Sequence, residues 1–238
     1  MNISTKIVPS PKFSDKALND MFDYRLGRLR KSMLEQNISL SILVNPVSLR
    51  YAIDFDEYQL FQSHIPTCYL FVPAHGPLVM HGATRHTFPN VFEYRRPHFI
   101  TPFDSGFDLS NSVKLLSNDV DNFVREYGHN KNIAIERVSS LISNSLQTLG
   151  YQISDAECLV EKAKVIKCDT EIKCIKHSID VAEYGLKLMQ ENTFAGLTER
   201  QVWSILHQVN IANNCSWIEG HMLSSGPRTN PWLQEASE

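Results

Sequence analysis

Apolar residues near the start of the chain recur at the spacing of one helix face. They are Phe22, Leu26, Leu29, Met33 and Leu34, and basic residues lie between them. This pattern predicts an amphipathic helix of about four turns that ends near Asn37. Residues 1–21 are mostly polar and include Pro9 and Pro11, which predicts an irregular N-terminal arm.

Short apolar runs then predict buried strands. The runs are ISLSILVN (38–45), TCYLFVP (67–73), GPLVMHG (76–82) and NIAIE (132–136). Pro73, His75 and Gly76 predict a hairpin-like turn between the second run and the third. A further helical pattern that starts SNSVKLL is expected to end at Gly128 in a left-handed cap. Because helices and strands alternate from 22 to 158, the sequence predicts an α/β domain.

In the second half of the chain, the sequence pattern predicts helices from about 155 to 213. Ile172, Ile175, Ile179 and Leu186 belong to a predicted apolar stripe, whereas Glu171 is predicted to face outward. Thr198 is a candidate N-cap, and Gln201 three positions later predicts a capping box. After Cys215 a strand-like piece leads into a turn segment with Gly-Pro and Asn-Pro pairs. We therefore expect a domain boundary near 155–165, with 159–238 forming the opening part of a second domain.

Composition and charge narrow the class of partner. The chain has 238 residues and a net charge of -3, so we expect neither nucleic acid nor a membrane as a partner, but a small or polar ligand. The odd count of 5 cysteines, widely spaced, predicts reduced thiols. No apolar stretch approaches the length of a membrane span and no signal peptide is recognisable, which predicts a cytoplasmic protein.

Motifs that carry chemistry on their own are missing from the sequence. It contains no HExxH, CxxC, EF-hand or GxSxG pattern and no Gly-rich phosphate loop. His64, His75, His81 and His86 form a conceivable metal cluster, but their irregular spacing across a predicted hairpin favours surface or interface histidines. The residues alone therefore offer candidate binding positions without a catalytic group.

Two segments resemble a known family. The run from Tyr24 to Asp54 is similar to the opening of the creatinase, prolidase and aminopeptidase P family. The run around Lys167, the Glu171-Ile172 pair and the Gly196-Leu197-Thr198-Glu199 turn is similar to that family's link into its C-terminal domain. The resemblance covers about 22 to 238. It implies an arm (1–21), an α/β creatinase-like N-terminal domain (22–158) and the start of an α+β pita-bread catalytic domain (159–238).

The closing stretch, WIEGHMLSSGPRTNPWLQEASE, resembles one branch of this family. That branch cleaves dimethylsulfoniopropionate to dimethyl sulfide and acrylate, and it carries a similar Gly-Pro-Arg-Thr-Asn-Pro-Trp stretch. The family's peptidases usually place a substrate-binding histidine about here, where this sequence has Thr229 or Asn230. That departure counts against a peptidase. Nearby His221 does not fit the position of the family's histidine and is expected to be structural.

The resemblance also implies a metal ion and a dimer. The family's metal, here iron, manganese or zinc, is held by two Asp, one His and two Glu, and all these positions would fall after residue 238. We therefore assign no catalytic residue and no metal ligand to this chain, and we expect it to be an inactive, C-terminally truncated fragment. The complete protein is expected to be a homodimer.

Three residues remain as candidates for substrate binding. Arg228 suits a carboxylate, Trp232 suits a sulfonium through a cation-π contact, and Asn230 can add a hydrogen bond. The alternative is a rigid turn with Trp232 in the core and Arg228 solvated. At the level of the whole chain, the alternatives to a lyase fragment are an Xaa-Pro dipeptidase or aminopeptidase fragment and a non-catalytic dimerisation module.

Overall fold

The structure is a computed structural model that describes residues 4–57, 59–82, 86–98, 101–216, 218–231 and 234–237. Its strands are β1 (Leu40–Leu43), β2 (Tyr69–Pro73), β3 (Leu78–His81), β4 (Val91–Arg95), β5 (Asn132–Ile135) and β6 (Gln152–Asp155). Its helices are α1 (Asp15–Glu35), α2 (Pro46–Ile53), α3 (Gln59–His64), α4 (Pro102–Ser105), α5 (Ser110–Tyr127), α6 (Ser140–Thr148), α7 (Glu157–Lys164), α8 (Asp169–Asn192) and α9 (Glu199–Ala212), followed by a 3-10 helix (Gly226–Thr229). In this part of the chain, no helix is both long enough and apolar enough to cross a membrane.

The chain divides into two compact units. One is Asp15–Cys168, and the other joins Met1–Ser14 to Asp169–Glu238. The first boundary lies before the predicted position 22 because α1 begins at Asp15. The second lies after the predicted 158/159 because α7 belongs to the first unit. There Val160 shares a core with Leu29 of α1, and Arg28 Nε donates to the carbonyl of Ala163 at 2.7 Å.

The Asp15–Cys168 unit is built on a mixed sheet with the strand order β4-β3-β2-β1-β5-β6. The β2 and β3 strands pair antiparallel, which confirms the predicted hairpin, and β1 pairs antiparallel with β2. On its other side β1 is parallel to β5, and β5 is parallel to β6. The carboxyl ends of β1, β5 and β6 therefore meet at one edge of the sheet.

Helices cover both faces of this sheet. Residues of α1, α2 and α7 share one buried cluster with Leu43 and Leu70, and residues of α5 and α6 share a second cluster with Ile42 and Phe71. Neighbouring residues of one strand thus face opposite layers, so both faces of the central strands are buried. This is why the central strands appear in the sequence as nearly continuous apolar runs.

The structure corrects two details of the sequence-based interpretation. Gly128 ends α5 in an extended conformation (φ -84°, ψ 158°), not in a left-handed cap. A Cβ atom at this position would lie 2.6 Å from the carbonyl oxygen of Val124, so the glycine is required by close packing and not by its φ angle. The expected strand-like piece after Cys215 is also wrong for the described residues, where the segment is irregular until the 3-10 helix.

The second unit contains the α8–α9 pair. A Cβ atom at Gly185 of α8 would lie 2.5 Å from Leu206 Cδ1 of α9, so this glycine lets the two helices approach closely. The capping box of Thr198 and Gln201 is confirmed. The expectation that Glu171 faces outward is wrong, because its exposed fraction is 6%. Ile172, Ile175, Ile179 and Leu186 of the predicted stripe are 40–56% exposed.

Candidate functional site

The segment after α9 is organised around one carboxylate, that of Glu199. Thr198 caps the helix, which places Glu199 in its first turn. Oε1 of Glu199 accepts hydrogen bonds from the Ser225 backbone N–H at 2.6 Å and from its hydroxyl at 2.8 Å. Oε2 accepts from the backbone N–H of Ser237 at 2.9 Å and from its hydroxyl at 3.0 Å. One side chain therefore ties the two ends of the segment 225–237 to α9.

Arg228 lies within that segment and completes the cluster. Its Nη1 donates to Glu199 Oε2 and to the Ser237 hydroxyl. Its Nε donates to Gln234 Oε1 at 3.2 Å, and its Nη2 donates to the Glu235 carbonyl at 2.7 Å. An arginine has five N–H donors, so these contacts occupy most of them. The guanidinium holds the segment in a loop around itself.

The electrostatics of the cluster follow from these contacts. Hydrogen bonds from the Ser237 backbone, the Ser225 side chain and the other serine donors lower the pKa of Glu199 from 4.5 to about 2. They do so because donors aimed at a carboxylate favour its ionised form. The cluster therefore contains a carboxylate that stays ionised, paired with the permanent charge of Arg228.

The structure describes two of the three predicted substrate-binding residues. The Arg228 side chain is partly exposed, and its guanidinium is bound to Glu199 and to neighbouring residues. Asn230 follows the 3-10 helix and is exposed. Trp232 lies outside the described residues. His221, expected to be structural, lies 3.4 Å from Glu235 Oε2 through its Nε2, and its ring centroid is 5.5 Å from that of Trp203.

The sequence indicates Glu199 only as part of a turn and does not reveal its central position in the cluster. An acidic residue directly after a helix N-cap is common for electrostatic reasons, so its presence did not single it out. In the structure this first-turn acid pairs with Ser225 and Arg228 of the Ser-Ser-Gly-Pro-Arg run at 224–228. That pairing depends on a chain reversal that one sequence does not reveal.

A metal does not fit the residues that the structure describes. Within them, no group of three or more His, Cys, Asp or Glu side chains is placed to hold an ion. Of the four histidines considered as a cluster, His81 is fully buried and its ring lies 4.6 Å from that of Tyr69. Burial lowers the pKa of His81 to about 3. His64 is exposed and its Nδ1 lies 2.8 Å from the Leu60 carbonyl oxygen of its own helix.

Solved structures identify the fold. The X-Pro aminopeptidase of Thermotoga maritima MSB8 matches 89% of this chain and 56% of its own, with a TM-score of 0.62 and 19% identity. The Xaa-Pro dipeptidase of Bacillus anthracis matches 80% of this chain and 49% of its own, with a TM-score of 0.58 and 16% identity. The fold, with its mixed α/β sheet, is therefore that of the pita-bread enzymes related to prolidase and aminopeptidase P.

Sequence similarity then points to one group of relatives. The chain is 31% identical over 229 residues to the dimethylsulfoniopropionate lyase DddP of Roseovarius nubinhibens, a match that covers 92% of this chain and 51% of that protein. The chain spans about half the length of the curated relatives that it matches. No family model matches it. These comparisons confirm the resemblance to the pita-bread family and to its dimethylsulfoniopropionate-cleaving branch.

The lowered pKa of Glu199 predicts a specific acid dependence. Because the pKa of Glu199 is lower in the folded state, ionisation of Glu199 stabilises the fold. This stabilisation is complete above pH 4.5 and is lost as the pH falls through about 2. Glu199→Gln should therefore be less stable than the wild type at pH 7, and the difference should shrink between pH 4.5 and pH 2. Tryptophan fluorescence is a suitable probe because Trp203, Trp217 and Trp232 all lie in 169–238.

The matched control is Glu183→Gln, at an exposed position of α8. We expect this variant to follow the wild type at every pH. If the stability difference between Glu199→Gln and the wild type stays constant from pH 7 to pH 2, the prediction that Glu199 stays ionised in the folded state is contradicted.

Proposed function

We propose that the protein that carries this chain is a lyase that cleaves dimethylsulfoniopropionate to dimethyl sulfide and acrylate. The observation that supports this proposal most is the 31% identity to a dimethylsulfoniopropionate lyase along 92% of the chain. Since the match covers 51% of that relative, the activity is proposed for the complete gene product that carries this chain.

The chemistry defines what such a protein has to bind. The substrate carries a carboxylate at one end and a sulfonium at the other. A base removes a proton from the carbon next to the carboxylate, a carbon–carbon double bond forms, and the carbon–sulfur electron pair leaves with the sulfur. The described residues offer no group of metal ligands, so no step is assigned to a metal here. The family resemblance implies an iron, manganese or zinc ion and a homodimer. Both stay predictions.

Arg228 fits a positioning role in this proposal. Its N–H donors already bind Glu199, Gln234, Ser237 and the Glu235 carbonyl, so a bidentate contact with a substrate carboxylate would require several of these bonds to break. We propose that Arg228 shapes the 225–237 segment and that Asn230, exposed just after the 3-10 helix, contacts the substrate. Trp232 is proposed to face the sulfonium.

These roles predict different kinetic effects in the complete gene product. Asn230→Ala should raise KM by about 5- to 15-fold with little change in kcat, as expected for one lost hydrogen bond of about 1–1.5 kcal/mol. Arg228→Ala should lower kcat and raise KM together, and Arg228→Lys should not restore the wild-type values because a lysine lacks the planar fork. If Arg228→Lys behaves like the wild type, the positioning role is wrong.

A peptidase is the second candidate because the matched structures are an X-Pro aminopeptidase and an Xaa-Pro dipeptidase. Their identities of 16–19% support a shared fold only. The direct test gives the complete gene product dimethylsulfoniopropionate in one vial and an Xaa-Pro dipeptide in another. Dimethyl sulfide in the headspace supports the lyase. Free proline without dimethyl sulfide supports the peptidase. The absence of both products supports the non-catalytic module.

A further inference from the structure

A buried glutamate links the ends of two parallel strands in the Asp15–Cys168 unit. Glu136 directly follows β5, yet its carboxylate lies at the end of β1. Its Oε2 accepts the backbone N–H of Val44 at 2.8 Å and that of Asn45 at 2.7 Å. The exposed fraction of Glu136 is 1%.

The position of this carboxylate in the sheet is informative. The chain leaves β1 towards β2 on one side and returns to β5 on the other, so the connections diverge between β1 and β5. Open α/β sheets bind their ligands at such a divergence, outside the carboxyl ends of the strands. The two N–H groups also lie just before α2, whose N-terminal end carries partial positive charge. Anion-binding features thus converge at the point where Glu136 lies.

The second carboxylate oxygen of Glu136, Oε1, is an independent observation, because a purely structural role does not explain its environment. Oε1 is buried and has no hydrogen-bond partner among the described residues. Glu136 also lines a narrow cavity whose other walls include Ile42, Tyr69, Leu116 and Ile142. A buried oxygen without a partner costs free energy, and the sheet retains it because the other oxygen satisfies two backbone donors.

The groups around Glu136 shift its pKa in opposite directions. Burial raises the pKa of Glu136, and the charge of Glu157 acts in the same direction. The two backbone N–H groups and the Ser48 side chain oppose the shift. Neighbouring Arg137 also lines the cavity, but its Nη1 donates to the Ser63 carbonyl at 2.7 Å. The backbone amides of Val44 and Asn45, together with the Ser48 side chain, are therefore the donors that hold the carboxylate.

We propose that the backbone amides of Val44 and Asn45 form a carboxylate-binding site that the chain fills with its own Glu136. Glu136 acts as an internal ligand that closes this crevice to small anions from solution. When its side chain is removed, the site accepts a small monocarboxylate in its place. This inference concerns the Asp15–Cys168 unit and does not depend on the proposed lyase activity.

Chemical rescue tests this proposal. Glu136→Ala should lower the Tm by about 10 °C, because it leaves the backbone N–H groups of Val44 and Asn45 without an acceptor. Sodium formate should then raise the Tm of this variant by about 2–4 °C more than sodium chloride at equal ionic strength. The wild type should respond equally to the two salts. Glu136→Gln, which keeps an acceptor oxygen in the site, should also show no preference for formate.

Equal responses of Glu136→Ala to formate and chloride would overturn the proposal. So would a formate-specific gain in the wild type, because that would place the anion elsewhere. If Glu136→Ala does not fold, the amide resonances of Val44 and Asn45 provide the second measurement. In the wild type both should shift with one common midpoint during a pH titration, and in Glu136→Gln neither should. Amides that do not titrate in the wild type would also overturn the proposal.

Discussion

Replacing Phe71 with alanine should lower the free energy of unfolding of the Asp15–Cys168 unit by about 3–5 kcal/mol. Phe71 lies on β2 and its exposed fraction is 0%. Its ring centroid lies 5.3 Å from that of Phe123 on α5 and 4.3 Å from that of His81 on β3. Truncation removes these contacts and leaves a cavity between the sheet and α5, and a close-packed core relaxes only partly around a cavity.

The matched control is Phe92→Ala on β4, where the phenylalanine is 78% exposed. This substitution should change the free energy of unfolding by less than about 0.5 kcal/mol. Urea denaturation followed by far-UV circular dichroism, with hydrogen exchange of the β2 peptide, measures both variants. Similar losses in the two variants would show that the core between the sheet and α5 is not packed as described.

The second large effect concerns Gln62, a buried side chain that satisfies several backbone groups at once. Its Nε2 donates to the carbonyls of Val44 at 2.9 Å and Cys68 at 2.7 Å. Its Oε1 accepts from the backbone N–H of Thr67 at 2.9 Å and that of Cys68 at 3.2 Å. Gln62→Leu keeps a similar volume but leaves these groups without partners, so we expect a loss of about 3–5 kcal/mol.

Gln147→Leu on α6 is the control for this substitution, because Gln147 is exposed. It should change stability by less than about 0.5 kcal/mol. Hydrogen exchange should locate the effect of Gln62→Leu at residues 67–68, whose backbone N–H groups lose their acceptor. Unchanged protection at these positions would mean that Gln62 does not hold the two segments together.

Much of the Asp15–Cys168 fold could be predicted from the sequence because its central strands are buried on both faces. The runs at 38–45, 67–73, 76–82 and 132–136 correspond to β1, β2, β3 and β5. The strands β4 and β6 were missed. They lie at the two edges of the sheet, their residues are partly or fully exposed, and β6 contains Ile153 as its one large apolar residue. Their pairing comes from backbone hydrogen bonds that carry no side-chain pattern.

The candidate site could be predicted less well, because it depends on contacts between distant residues. Arg228 was recognised as a carboxylate binder, and the carboxylate that it binds in the structure is that of Glu199. Glu136 was read as the last residue of a strand-like run, with no sign that its side chain would reach the end of β1. In both cases the deciding fact is which element lies beside which, and one sequence does not encode this in a local pattern.

The ratio of two specificity constants tests the central proposal most directly. The complete gene product that carries this chain is assayed for kcat/KM with dimethylsulfoniopropionate and with an Xaa-Pro dipeptide, in the same preparation. We expect dimethylsulfoniopropionate to be favoured by about 100-fold or more, equivalent to about 2.7 kcal/mol of transition-state discrimination, with dimethyl sulfide and acrylate formed in equal amounts. A ratio that favours the dipeptide, or turnover of neither substrate, would contradict the assignment to a dimethylsulfoniopropionate lyase.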